Sequence, residues 1–272
     1  MNPRAIRAII RKDLLVVVRN KGVLIPLVVV PLVIFTLVPG LTALIPMLPE
    51  VGPSEVREME EMLQRMPAGF AAEIADYQGL ERIYALMLIY FMAPMYLIIP
   101  LMVASVIAAD SFAGEKERKT LEALLYTPTS DLELFLAKVL AGWLAAMAVA
   151  WVGFLLYAVV ANAAAWSVMG RVFFPNLMWV LLVLWVVPAV AALGLGSMVV
   201  VSQRAQSFQE AYQLGGVVVL PLMALLIGQA LGVMYFSVGL VALLGLALWA
   251  VDAALLWMGV RSFGRGELKA RL

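Results

Sequence analysis

The chain of 272 residues contains no cysteine and no histidine, and only 14% of its residues are charged. Without thiols or imidazoles there can be no disulfide, no thiol catalysis, no iron–sulfur cluster and no His- or Cys-based zinc or haem site. The phosphate-cradling pattern G-x-x-x-x-G-K-[ST] is also missing, so no nucleotide site is expected on this chain. The net charge of +1 says little, because the distribution of charge along the chain matters more than its sum, and no nucleic-acid partner is expected. Apolar residues dominate instead, at 64% against the 45–50% usual in soluble domains.

That apolar material is arranged in long runs. About 20 apolar residues cross a hydrocarbon core, and runs of at least that length cover roughly 23–46, 83–109, 134–165 and 177–202. The tract 214–260 is 47 residues long and reads as two crossings joined near Tyr235-Phe236-Ser237. The fold class is therefore an all-α polytopic membrane protein with six transmembrane helices. Prolines fall inside several runs, among them Pro26, Pro31, Pro39, Pro94, Pro100 and Pro188. Each removes a backbone donor, and inside a bilayer the carbonyl left over must find another partner.

Before the first run, Asn2-Pro3 has the form of a helix cap with proline at the first helical position. Arg4, Arg7 and Arg11 share one face, and Ile6, Ile9, Ile10 and Val17 gather on the other. Residues 1–22 thus read as an interfacial amphipathic helix, 23–260 as the membrane domain and 261–272 as a tail. Segment 47–82 holds eight acids against three arginines, and Val56, Met59, Leu63 and Met66 keep helical spacing. It reads as an outer segment with a short surface helix. The sixteen methionines are ordinary packing residues, and no metal site is expected.

The one long polar interruption inside the membrane domain runs from Asp110 to Lys138, with ten charged residues. Phe112, Leu121, Leu124 and Leu125 recur in it at roughly helical spacing, as in a short amphipathic helix outside the bilayer. Thr127-Pro128 breaks it, and Ser130 followed three residues later by Glu133 is a capping box that opens the next helix. With six spans, fifteen of the lysines and arginines fall on the side of this loop and both termini, and only Arg57, Arg65, Arg82 and Arg171 on the other. By the positive-inside rule the loop and both termini are expected in the cytoplasm, and the membrane is expected to be the plasma (inner) membrane.

Within this loop stands Gly114-Glu115-Lys116-Glu117-Arg118-Lys119-Thr120-Leu121-Glu122-Ala123-Leu124-Leu125-Tyr126-Thr127-Pro128. The run resembles the first cytoplasmic loop of ABC-2 type transporter permease subunits. The resemblance implies a coupling loop, 110–133, between spans two and three, whose helix seats in a groove of a separate ATPase subunit. The residues it carries over are Gly114, Glu115, Lys116, Glu117, Arg118, Thr120, Leu121, Glu122, Leu124, Leu125, Thr127 and Pro128. It further implies export, two ATPase copies that bind the ATP and Mg, no cofactor on this chain, and a second permease subunit, the same chain or a related one. A re-entrant hairpin before the last span, common in that family, has little room in 214–260.

Ionisable or amide side chains in the spans are candidates for function, because they are costly in hydrocarbon. Asp252 lies nine residues before Arg261, about 13 Å inward at 1.5 Å per residue, and must face protein or water. It could hold a cation or proton, form a gating contact, or be a structural acid. Gln229 and Asn162 are candidates of the same kind or helix–helix contacts. An intramembrane enzyme would need a cluster of His, Asp or Glu at the membrane face, which is missing. The other reading is an ATP-independent channel or secondary transporter, for which internal repeats or paired intramembrane charges would be the sign.

Overall fold

The computed structural model describes residues 2–47, 69–120 and 129–262. All regular structure among these residues is helical. A first helix, α1 (Pro3–Arg19), is followed by six helices long and apolar enough to span a bilayer: α2 (Lys21–Pro46), α3 (Leu80–Glu117), α4 (Asp131–Met169), α5 (Leu177–Ser202), α6 (Phe208–Ala230) and α7 (Val238–Arg261). The expected count of six spans is met, and the chain is a multi-pass membrane protein.

Caps fall where the sequence places them. The Asn2 side chain accepts from the backbone of Arg4 and Ala5 with Pro3 at the first helical position. At α4, Ser130 and Glu133 satisfy each other's backbone donors in a full capping box. A left-handed Gly170 closes the far end of α4, a conformation open to glycine because it has no Cβ.

Length matters as much as count. At 1.5 Å per residue α3 and α4 are each nearly 60 Å long, about twice the hydrocarbon thickness. Both therefore extend beyond the lipid. The second span does not stop at Ala109; its helix continues through a wide π-type turn, Asp110–Gly114, to Glu117. The separate amphipathic helix expected from Asp110 is thus, over its described part, the end of α3. The reason is packing: Phe112 and Ala113 are buried against the bundle, and the polar Asp110, Ser111 and Glu115 are buried with them. The stripe Leu121, Leu124, Leu125 and the outer helix around Val56–Met66 lie outside the described residues.

The bundle is uneven. In α3 and α5 two thirds of the apolar window is buried inside the protein, whereas in α6 and α7 only 17% is. The pair α3 and α5 therefore forms the centre, and α2, α4, α6 and α7 surround it with exposed apolar faces, such as Val152, Leu155 and Val159 on α4. Small residues set the close approaches. A Cβ on Gly153 would stand 2.1 Å from the Phe35 ring, and one on Gly245 would stand 2.2 Å from Trp185.

Prolines account for three of the four wide turns among the described residues. Wide π-type stretches at Val33–Leu37, Ala85–Phe91 and Leu182–Val186 each lie just before a proline, Pro39, Pro94 and Pro188. A proline cannot donate to the carbonyl four residues earlier, and widening the preceding turn relieves the clash of its ring. Carbonyls in these stretches are met by side chains from other helices. Tyr157 Oη donates to Leu88 at 2.5 Å and Trp179 Nε1 to Ile89 at 2.7 Å. The Tyr90 carbonyl, four residues before Pro94, accepts from Gln229 Nε2 at 2.5 Å. These bonds sit in an aromatic core of Phe35, Tyr96, Phe154, Tyr157, Phe174 and Trp179 with ring centroids 4.9–6.5 Å apart.

Candidate functional site

At the basic end of the bundle the protruding ends of α3 and α4 meet α1. Lys138 stands seven residues into α4, and its side chain is fully buried. Its ammonium donates to Glu115 Oε2 at 2.6 Å and to the Ser111 carbonyl at 2.8 Å, and it lies 5.6 Å from the Phe112 ring centroid. Glu115 takes a second cation on its other oxygen, Lys12 Nζ of α1 at 2.5 Å. Lys12 also pairs with its neighbour Asp13 at 2.9 Å, and the buried Asp13 lies 3.8 Å from Lys138. Two cations and two anions thus close a neutral ring that joins α1, α3 and α4.

Local sequence dictates this geometry. Asp13 sits midway between Ile9 and Val17 at spacings of four, so the amphipathic register of α1 turns the acid toward the protein with them. The capping box fixes where α4 begins, and the start of α4 in turn fixes the height of Lys138. Burial alone would lower the pKa of the Lys12 ammonium. Its hydrogen bonds to Glu115 and Asp13 and their charges outweigh that, and hold the group above the ordinary lysine value of 10.5.

The rest of the described run is also tied to the protein. Lys116 Nζ donates to the Ala205 carbonyl at 3.3 Å, and Glu117 Oε2 accepts the Phe208 amide at 2.9 Å, at the first turn of α6. Arg118 bonds back to Asp110 at 2.9 Å, and the Thr120 hydroxyl donates to the Glu115 carbonyl at 3.3 Å. A Cβ on Gly114 would meet Asp110 Oδ1 at 3.0 Å and the Arg118 guanidinium at 3.2 Å, so the glycine makes room for that pair. A further bridge joins α1 to α4, where the Asn2 amide donates to Glu133 Oε1 at 2.5 Å. Leu121, Glu122, Leu124, Leu125, Thr127 and Pro128 lie outside the described residues.

The sequence profile of the family described as ABC-2 family transporter protein matches residues 7–250. The chain belongs to that family. It is the membrane component of an ABC transporter, a permease. No curated protein and no solved structure matches the chain individually. The match spans α1 from Arg7 through the first half of α7, so the ion ring of this ABC-2 permease lies wholly inside the family region.

The three intramembrane polar residues are not brought together. Asn162 on α4 clamps the turn before α5, donating to the Phe174 carbonyl at 2.7 Å and accepting the Phe173 amide at 3.0 Å. Gln229 on α6 serves the Tyr90 carbonyl. Asp252 is 1% exposed, facing protein as its position in the bilayer requires. Neither of its carboxylate oxygens has a hydrogen-bond partner in the structure. Among the described residues no group of three or more acidic side chains is placed to hold a metal ion.

Sequence reasoning selected Glu115 but not Asp13, Lys12 or Lys138. The signal existed: an acid on the apolar face of α1, and a lysine inside the first turns of an otherwise apolar helix.

Proposed function

We propose that this permease is half of the membrane path of an ATP-driven exporter, coupled to a separate ATPase subunit through residues 114–128. What supports the reading is the position of the run, at the end of a helix that outruns the bilayer and on the side where fifteen of nineteen lysines and arginines gather. That basic side is the cytoplasmic one, which puts both termini and the 261–272 tail inside, the 47–82 segment outside, and the chain in the plasma (inner) membrane. Two ATPase copies, carrying the ATP and Mg, drive two permeases, identical or related. Within the run, Glu115 faces inward. The ATPase contact therefore falls to the residues after it, with Leu121, Leu124 and Leu125 for an apolar groove and Arg118, Thr120 and Glu122 for its rim.

Co-purification tests this. The chain should bring down an ATPase whose hydrolysis it stimulates, and Glu122→Lys or Leu124→Glu should abolish both the co-elution and the stimulation while leaving the permease folded. Ion conduction or substrate turnover by the purified chain alone would establish the channel or secondary-transporter reading in its place.

A further inference from the structure

We infer that Lys138, Asp13 and Lys12, none of them in the recognised run, are positioning residues of the coupling step, and that through Glu115 they lock the run, α1 and α4 into one rigid body. This deepens the proposed coupling and rests on it. A docked segment transmits motion only as far as its attachments are stiff. Here the run is not a free loop: Glu115 is held by cations from two other elements, Lys138 from α4 and Lys12 from α1. Lys116 and Glu117 fasten the same turn to Ala205 and Phe208, at the entry to α6. A push on residues 114–120 thus reaches spans two, three and five and the interfacial helix together. The ring is stiff because its centre is dry. The Lys138 side chain is fully buried, and an ammonium in that setting cannot exchange protein ligands for water without opening the joint.

The chain has no cysteine, so spin labels can be placed without background. Arg11→Cys on α1 and Lys119→Cys just past α3 are both exposed; because Lys119 lies in the run itself, the labels report distance only and stimulation is read in the unlabelled chain. In the full-length permease reconstituted with the ATPase subunit that co-purifies with it, this pair should keep one narrow distance in the nucleotide-free and ADP–vanadate states. Lys138→Met should broaden that distribution at least twofold. It should also lower permease-stimulated hydrolysis at least fivefold with the ATPase still bound. The double variant Glu115→Gln, Lys138→Met removes one charge of each sign, so thermal stability should recover while the label pair stays loose and stimulation stays low. A purely structural role would restore both. If Lys138→Met does not fold, the double variant and Asp13→Asn carry the same readouts. A pair that stays narrow, with stimulation intact, in every folded variant overturns the proposal. If the unaltered chain neither binds nor stimulates an ATPase, the failure belongs to the function proposed above, and the transmission role falls with it.

Discussion

The two ends of α4 are held by opposite kinds of chemistry. Its first turns are pinned by charge, with Glu133 on the Asn2 amide and Lys138 between Glu115 and Asp13. Its second half is pinned by neutral donors and acceptors, with Tyr157 on the Leu88 carbonyl and Asn162 on the Phe173–Phe174 turn. The first lies where the helix outruns the lipid, so charges can be delivered from water and closed into a neutral ring. The second lies in or near hydrocarbon, where hydroxyl and amide groups serve carbonyls at far lower desolvation cost. Break the charged end and an unpaired ion is left; break the neutral end and only a hydrogen bond is lost.

The largest effect should therefore come from Lys138→Met. Removing one partner of a buried pair costs about 3–5 kcal/mol, so the melting temperature of the purified permease should fall more than for any substitution at the neutral end. Adding Glu115→Gln should recover most of that loss, because balanced removal leaves no orphan charge. Next comes Gly153→Ala. The new methyl would strike the Phe35 ring at 2.1 Å, and overpacking of this kind costs about 1–3 kcal/mol. A cross-link between α2 and α4 should then form more slowly. Ser130→Ala removes the cap that starts α4 and should cost about 1 kcal/mol. Tyr157→Phe should cost least, about 0.6 kcal/mol on the scale of hydrogen bonds within membrane bundles. If Tyr157→Phe proved more damaging than Lys138→Met, the contrast between the two ends would be wrong.

A pH titration sharpens the same contrast. A base whose folded pKa is raised contributes stability that is fully present below its unfolded value and is lost only as pH rises through the folded one. For Lys12 that window lies above the ordinary value of 10.5. Its side chain is also 39% exposed, so solvent screening keeps its own contribution small. The Lys12 contribution to the melting temperature should therefore be flat from neutrality to about pH 10, read as an unchanged difference between the native chain and Lys12→Met. A difference that grew as the pH fell toward neutrality would contradict the pairing seen here.

Much of the architecture was legible in the chain because bilayer thickness leaves little freedom. Runs of twenty apolar residues have no other use, and the Asn2-Pro3 and Ser130–Glu133 caps are local chemistry that reads directly. The end of α3 was not legible. Composition at Asp110 signals departure from the membrane, but the helix continues because Phe112 and Ala113 find a packed surface there. The partners of Gln229 and Asn162 were equally hidden, since a freed carbonyl such as that of Tyr90 can be served from any helix that passes it.

By itself the sequence determined six crossings, the caps that start α1 and α4, the polar run between the second and third crossings, and the family, all set by local pattern and the length of chain a membrane demands. The tertiary structure alone decided that Glu115 turns inward and that Asp13, Lys12 and Lys138 meet it. Pairing among charges on three separate elements depends on how those elements cross, and no spacing along the chain encodes that crossing.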